Sequence, residues 1–214
     1  MTRETTNEQK RFRTDIQGLR AIGIALVVIC HIWVGKVSGG VDVFFVVSAY
    51  LLTGSLIRDA QARGRVDFTR FWGQVALRIL PSAFAVIFLT LAAGAFFMPI
   101  ALWRPFALHA LASVLQLENL ELMREATDYL ARGTPASPFM QFWALSVQMQ
   151  FYAVLPALIW LSIRLGGGRF RPGVHEALMA TLGIGSFGYA LWVLSNSPAP
   201  HYFDPIARLW EFAA

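Results

Sequence analysis

The chain has 214 residues, 56% of them apolar and only 14% charged, with a formal net charge of +5 and a mean hydropathy of +0.52. Soluble domains carry about 25% charged residues, so this composition excludes disorder, a coiled coil, a collagen repeat and a disulfide scaffold, and the single Cys30 can form no internal bridge. Of the 18 cations 16 are Arg, gathered between apolar runs rather than along one face, which points to a lipid bilayer and away from nucleic acid.

A spanning helix needs about 20 mostly apolar residues to cross ~30 Å of hydrocarbon. Residues 1–18 read as a charged cytoplasmic amino-terminal segment. Five runs then approach spanning length: 19–34, 41–57, 75–100, 139–163 and 177–194. The first competes with a signal peptide. Charges of both signs ahead of it, a second apolar run close behind and no small-residue cleavage site favour a retained helix. Residues 101–117 carry Arg104, Pro105 and His109 and are expected to form an outer-surface or re-entrant helix. The expected fold is an all-α, polytopic transmembrane helix bundle of about five spanning helices plus that extra helix.

Basic residues set the orientation. They crowd residues 1–20, then 58–72 (Arg58, Arg63, Arg65, Arg70) and 164–175 (Arg164, Arg169, Arg171), whereas 118–139 holds Glu118, Glu121, Glu125 and Asp128 against Arg124 and Arg132. The amino terminus is therefore expected inside, in an inner (plasma) membrane. His109 and His201 are expected at the surface and His175 toward the cytoplasm. No metal-ligand spacing exists, so no metal is expected. The Gly166-Gly167-Gly168 run lacks the Lys and Ser or Thr of a phosphate loop. The seven Trp, Trp192 among them, suit interfacial belts.

Polar residues inside apolar runs are costly in lipid and mark candidate sites. Arg20 and His31 are eleven residues apart, which returns a helix to within ~20° of the same face after ~16 Å of rise. Two readings fit: an Arg reaching the headgroups with a His on a neighbouring carbonyl, or a functional stripe. A tight connection at 35–40 sets the next helix antiparallel to the first and puts Asp42 near the depth of His31. There a carboxylate can cap its own helix and also orient the imidazole as a general base.

Phe12-Arg13-Thr14-Asp15-Ile16-Gln17-Gly18-Leu19-Arg20-Ala21, followed by His31, resembles the opening of the membrane acyltransferase-3 family, integral-membrane O-acyltransferases of bacterial surface glycans. Gly39-Gly40-Val41-Asp42-Val43-Phe44-Phe45-Val46-Val47-Ser48-Ala49-Tyr50-Leu51 is similar to its Gly-Val-Asp-x-Phe-Phe-Val-x-Ser-Gly-Phe-Leu element. Arg78-Ile79-Leu80-Pro81 matches its Arg-Ile-x-Pro. Trp143-Ala144-Leu145-Ser146-Val147-Gln148-Met149-Gln150-Phe151-Tyr152 resembles Trp-Ser-Leu-Ser-Val-Glu-x-Gln-Phe-Tyr, and Arg208-Leu209-Trp210-Glu211 its Arg-x-Trp-Glu. Gln148 stands where the pattern has Glu, Gln141 where it has His, Ala144 and Ala49 where it has Ser and Gly, and Gln74 and Val75 where it has an Arg pair.

The resemblance implies an enzyme that moves an acyl group, acetyl in most members, from cytoplasmic acyl-CoA to a hydroxyl of an exported glycan or lipid-linked saccharide. Acyl-CoA is then a co-substrate, and no cofactor is expected to stay bound. Arg20 and Arg78 are expected to meet donor phosphates, and His31 with Asp42 to act on the hydroxyl, either as base or through an acyl-imidazole. Gln148, Tyr152 and Ser146 are expected to position the acceptor. Members carry about ten spanning helices, so residues 19–214 are expected to be a partial domain lacking its carboxy-terminal half. The alternative is a catalytically inactive member acting as a membrane-embedded partner. A transporter is a third reading, without the inverted repeat that would support it.

Overall fold

The computed structural model describes residues 14–29, 32–33, 39–127, 136–196 and 201–213, and every regular element among them is helical. In chain order these are α1 (Thr14–Ile29), α2 (Gly40–Arg63), α3 (Phe68–Phe97), α4 (Trp103–Val114), α5 (Glu118–Thr127), α6 (Phe142–Leu165), α7 (Pro172–Asn196) and α8 (Leu209–Ala213). A single 3-10 turn, Ile100–Leu102, precedes α4. The protein is an all-α helical bundle. Four helices, α2, α3, α6 and α7, are long and apolar enough to cross a membrane. The first expected span is described as the 16 residues of α1; its continuation through Cys30 and His31, and the connection at 35–38, lie outside the described residues.

Caps, rather than hydropathy alone, set where the helices begin. Apolar content places the third span at residue 75, but α3 starts at Phe68 because the Asp67 side chain accepts the Arg70 N–H at 3.1 Å. That N–H, together with the Thr69 hydroxyl, holds the Asp67 carboxyl below its usual range. Likewise α7 starts at Pro172, a residue whose fixed φ and missing N–H suit a first helical position. The Gly166–Gly168 run ends α6. Gly166 N–H bonds Ser162 O and Gly168 N–H bonds Ile163 O, both at 2.9 Å. Gly167 and Gly168 take φ of +76° and +84°, the left-handed region that ends helices in this way.

Between α3 and α6 no described helix is long enough to span. α4 has 12 residues, about 18 Å at 1.5 Å per residue, against ~30 Å of hydrocarbon. It packs on α3 through a missing side chain: a Cβ on Gly94 would lie 2.3 Å from the Phe106 ring. Ile87, Phe106, Ala110 and Phe139 form a buried core there, flanked by Leu91, Met98 and Phe142. Leu77, Phe88, Phe96 and Ile184 are exposed, apolar on outer faces where a soluble protein carries charge; those faces suit lipid.

The molecule divides into two compact units, residues 1–48 and 49–214, with the division inside α2. In the first, α1 meets the start of α2 at Gly23, where a Cβ would sit 3.4 Å from both Gly40 O and the Phe44 ring. In the second, α5 packs on α6, α8 on α7, and α6 touches α3, α4 and α7.

Candidate functional site

The expected site residues divide between the units. Arg20, half-buried on α1, and Asp42, half-buried in the first turn of α2, belong to the first. His31 lies outside the described residues. In the second unit Arg78 is exposed on α3. On α6, the Gln148 side-chain amide donates to the Tyr152 hydroxyl, so these two are brought together, with Tyr152 buried and Gln148 half-buried. Ser146 is fully buried, and its hydroxyl oxygen accepts the Glu118 N–H at 3.2 Å. It therefore caps α5 from a neighbouring helix.

The residue Ser146 caps leads into a polar knot. His109 is 2% exposed, not a surface residue. Its Nδ1 lies 2.7 Å from Glu118 Oε1 and its Nε2 2.9 Å from Glu125 Oε1, while the Ser113 hydroxyl donates to Glu118 Oε2 at 3.3 Å. A neutral imidazole carries one N–H and can donate once. Both contacts are hydrogen bonds only if the trio holds one further proton. Burial alone would lower the His109 pKa; the hydrogen bonds and charges of Glu118 and Glu125 outweigh it and hold His109 above its ordinary value. Burial also raises Glu118, against the pull of His109 and Ser113. Beside the knot, Gln150 donates to Asn119 Oδ1 at 2.8 Å and to Gln116 O at 3.0 Å. Gln116 takes φ +58° in the α4–α5 turn.

The segment after α7 is held from three sides. The Asn119 amide donates to Phe203 O at 3.2 Å and Arg208 Nε to Tyr202 O at 2.8 Å. The Arg208 guanidinium also pairs with Glu211 at 2.8 Å and lies 4.9 Å from the Trp143 ring and 4.6 Å from the Tyr202 ring. Ser186 on α7 donates to Ile206 O at 2.6 Å and accepts from Trp210 N–H at 2.9 Å. Within this segment His201 Nδ1 lies 3.1 Å from Asp204 Oδ2, and the Tyr189 hydroxyl donates to the same oxygen at 2.9 Å. His175, expected toward the cytoplasm, is buried: its Nδ1 lies 2.9 Å from Ser162 Oγ, joining α7 to α6. It also lines a cavity of about 290 Å³ with Tyr50, Thr53, Met179 and Phe212.

Trp143 and Arg208 thus stack across two sequence elements that lie 65 positions apart, in the order in which the motifs were read. Residues 13–213 match the family described as an acyltransferase domain. The chain belongs to the acyltransferase-3 family. It is similar to the peptidoglycan O-acetyltransferase OatA of Listeria monocytogenes, 27% identical over 165 residues, 76% of this chain and 26% of that protein. Against the O-acetyltransferase OatA of Staphylococcus aureus the identity is 28% over the same coverage. Against the putative membrane-bound transacylase BcsY of Komagataeibacter xylinus it is 29% over 205 residues, 95% of this chain and 50% of that protein. The chain spans between about a quarter and a half of the length of these relatives. No solved structure matches it.

In this acyltransferase-3 chain the clusters that sequence reasoning missed are His109 with Glu118 and Glu125, Asn119 with Gln150, and His201 with Asp204. A signal existed for the first: Glu118 and Glu125 are seven residues apart, within ~20° of one helix face, next to a helix carrying a lone His. For the third, the signal was His201-x-x-Asp204 in a Pro-bounded turn.

Proposed function

We propose that the chain carries the donor and acceptor sites of a membrane O-acyltransferase of the inner (plasma) membrane, moving an acyl group, acetyl first among them, from cytoplasmic acyl-CoA to a hydroxyl of an exported glycan or lipid-linked saccharide. The observation that carries this reading is the family match over residues 13–213, together with relatives named as O-acetyltransferases. Orientation is supported by parity. Arg63 and Arg65 lie at the end of α2 and Arg164, Arg169 and Arg171 at and after the end of α6, while α4 and α5 between α3 and α6 are too short to cross. With the basic ends inside, the amino terminus is cytoplasmic and residues 98–141 face outward.

In this scheme Arg20 and Arg78 hold the donor phosphates, which guanidinium groups meet bidentately. His31, steered by Asp42, takes the proton of the acceptor hydroxyl. The hydroxyl oxygen then bonds to the thioester carbonyl carbon, the C–S bond breaks, and CoA leaves as a thiolate that takes up a proton. In the competing form His31 itself carries the acyl group before the hydroxyl attacks. Gln148, backed by the buried Tyr152 hydroxyl, hydrogen-bonds the acceptor.

A general base contributes about 100-fold to 10,000-fold. His31→Ala in the full-length protein should therefore cut acetyl transfer from labelled acetyl-CoA to glycan by at least about 100-fold, measured in membranes. Unchanged transfer removes His31 from the mechanism. Gln148, an amide that takes no proton, favours the second reading, an inactive family member serving as a membrane-embedded partner. No transfer by the parent and gained transfer by Gln148→Glu would establish that reading.

A further inference from the structure

The acyl-transfer scheme leaves unused an imidazole that is built into the turn after α7. His201 Nδ1 faces Asp204 Oδ2, an acceptor, so in the neutral ring Nδ1 carries the proton and Nε2 the lone pair. Asp204 is only 4% exposed. It is fixed by two further donors, the Tyr189 hydroxyl on Oδ2 and the Ile206 N–H on Oδ1 at 2.8 Å. The Tyr189 ring stands edge-on to the His201 ring, 6.2 Å between centroids at 87°. Among the described residues nothing bonds His201 Nε2, and the side chain is 25% exposed.

The surroundings are rigid and partly aromatic. α5, α6 and α7 each grip the turn, through Asn119, Trp143 and Ser186. Trp192 stacks on Tyr189 at 6.1 Å and 30° and is 63% exposed. An open lone pair oriented by a buried carboxylate, joined through Tyr189 to the exposed Trp192 ring, suits a ligand with both hydroxyl groups and apolar C–H faces. Saccharides have that chemistry; a hydrocarbon chain has no hydroxyl to give, and a phosphodiester has neither an O–H for Nε2 nor a C–H face for the indole.

We propose that His201, oriented by Asp204 and joined through Tyr189 to Trp192, is a saccharide-binding site that holds a hydroxyl of the glycan acceptor. The site rests on the acyltransferase reading for the identity of that acceptor, and it binds sugar without taking part in bond making. His201 Nε2 accepts the hydrogen bond of one hydroxyl while Trp192 covers a C–H face of the ring.

The test uses the full-length protein in detergent or nanodiscs with soluble peptidoglycan fragments and cellotetraose as probes. Diethyl pyrocarbonate acylates open imidazole nitrogens, and mass spectrometry maps the sites. His201 should react, His109 should not, and either saccharide should slow the His201 reaction and quench the fluorescence of Trp192, with the quench lost in Trp192→Phe. In transfer assays His201→Gln should raise the acceptor KM about tenfold, the equivalent of one hydrogen bond, with kcat and acyl-CoA KM unchanged. A His201 that does not react, or that reacts equally with and without both saccharides, overturns the proposal. Protection of His201 in a protein that transfers no acetyl group sinks the acyltransferase reading and leaves the saccharide site standing. Transfer lost in His31→Ala but unaltered in His201→Gln, without protection, does the reverse.

Discussion

Two imidazoles beside carboxylates occupy the second unit, and their difference lies in how many ring nitrogens are used. In the α4–α5 knot both nitrogens of His109 are bonded and the ring is sealed from solvent. In the turn after α7 His201 has one nitrogen bonded and a quarter of its side chain open. The first arrangement spends all of its hydrogen-bonding capacity inside the protein and can only hold helices together. The second keeps one acceptor for something else. Proximity of His to Asp or Glu, the usual sign of a reactive centre, does not separate the two; the count of engaged nitrogens does.

Removing His109 should break this contrast most severely. Loss of one partner from a buried charged cluster costs about 3–5 kcal/mol, because Glu118 is left buried with only Ser113 and its backbone cap. His109→Ala should therefore lower the thermal unfolding midpoint of the detergent-solubilised protein far more than His201→Ala does. Equal shifts would mean that the knot is not a structural element.

The pH dependence should be confined to the same region. His109 holds its proton more tightly folded than unfolded. Its contribution is complete below the ordinary imidazole value of about 6.5 and is lost as pH rises through the raised folded value. Glu118, also raised, acts with the same sign. Unfolding midpoints should fall as pH rises above about 6.5 in the parent and stay flatter in His109→Gln. A midpoint that rises there instead would contradict the shared proton.

The smallest effect is expected at Ser146. Ser146→Ala removes the oxygen that accepts the Glu118 N–H, a cap worth about 0.5–2 kcal/mol. It should loosen the knot, read as faster amide exchange in α5, and leave the reactivity of His201 toward diethyl pyrocarbonate as it was. A change at His201 would show that the two regions are coupled.

The sequence made the spans legible because continuous apolar runs have a single physical meaning in a chain with so little charge. It placed a helix at α4 that is too short to span, in a run that Arg104 and Pro105 interrupt. It counted Glu118 and Glu125 by sign alone, as part of an acidic stretch. That both bond His109, nine and sixteen residues away across a turn with a left-handed Gln116, was not visible in it. Charge counting sees sign and position, not the direction of a side chain. The place of Ser146 on α6 was clear, whereas its cap on the start of a helix 28 residues earlier was not. The motif residues Trp143 and Arg208 were legible as elements of a pattern, while their stacking needed the folded turn.

Gly94 carries a consequence for how such chains can diverge. The space where its side chain would be is filled by the ring of Phe106, 2.3 Å from the site of a Cβ, and that ring is itself locked among Ile87, Ala110 and Phe139. Neither position can drift alone. A descendant that acquires alanine at 94 should also have traded the phenylalanine for something shorter, so the two columns ought to covary in any collection of its kin, a footprint of close helix approach readable without a single coordinate.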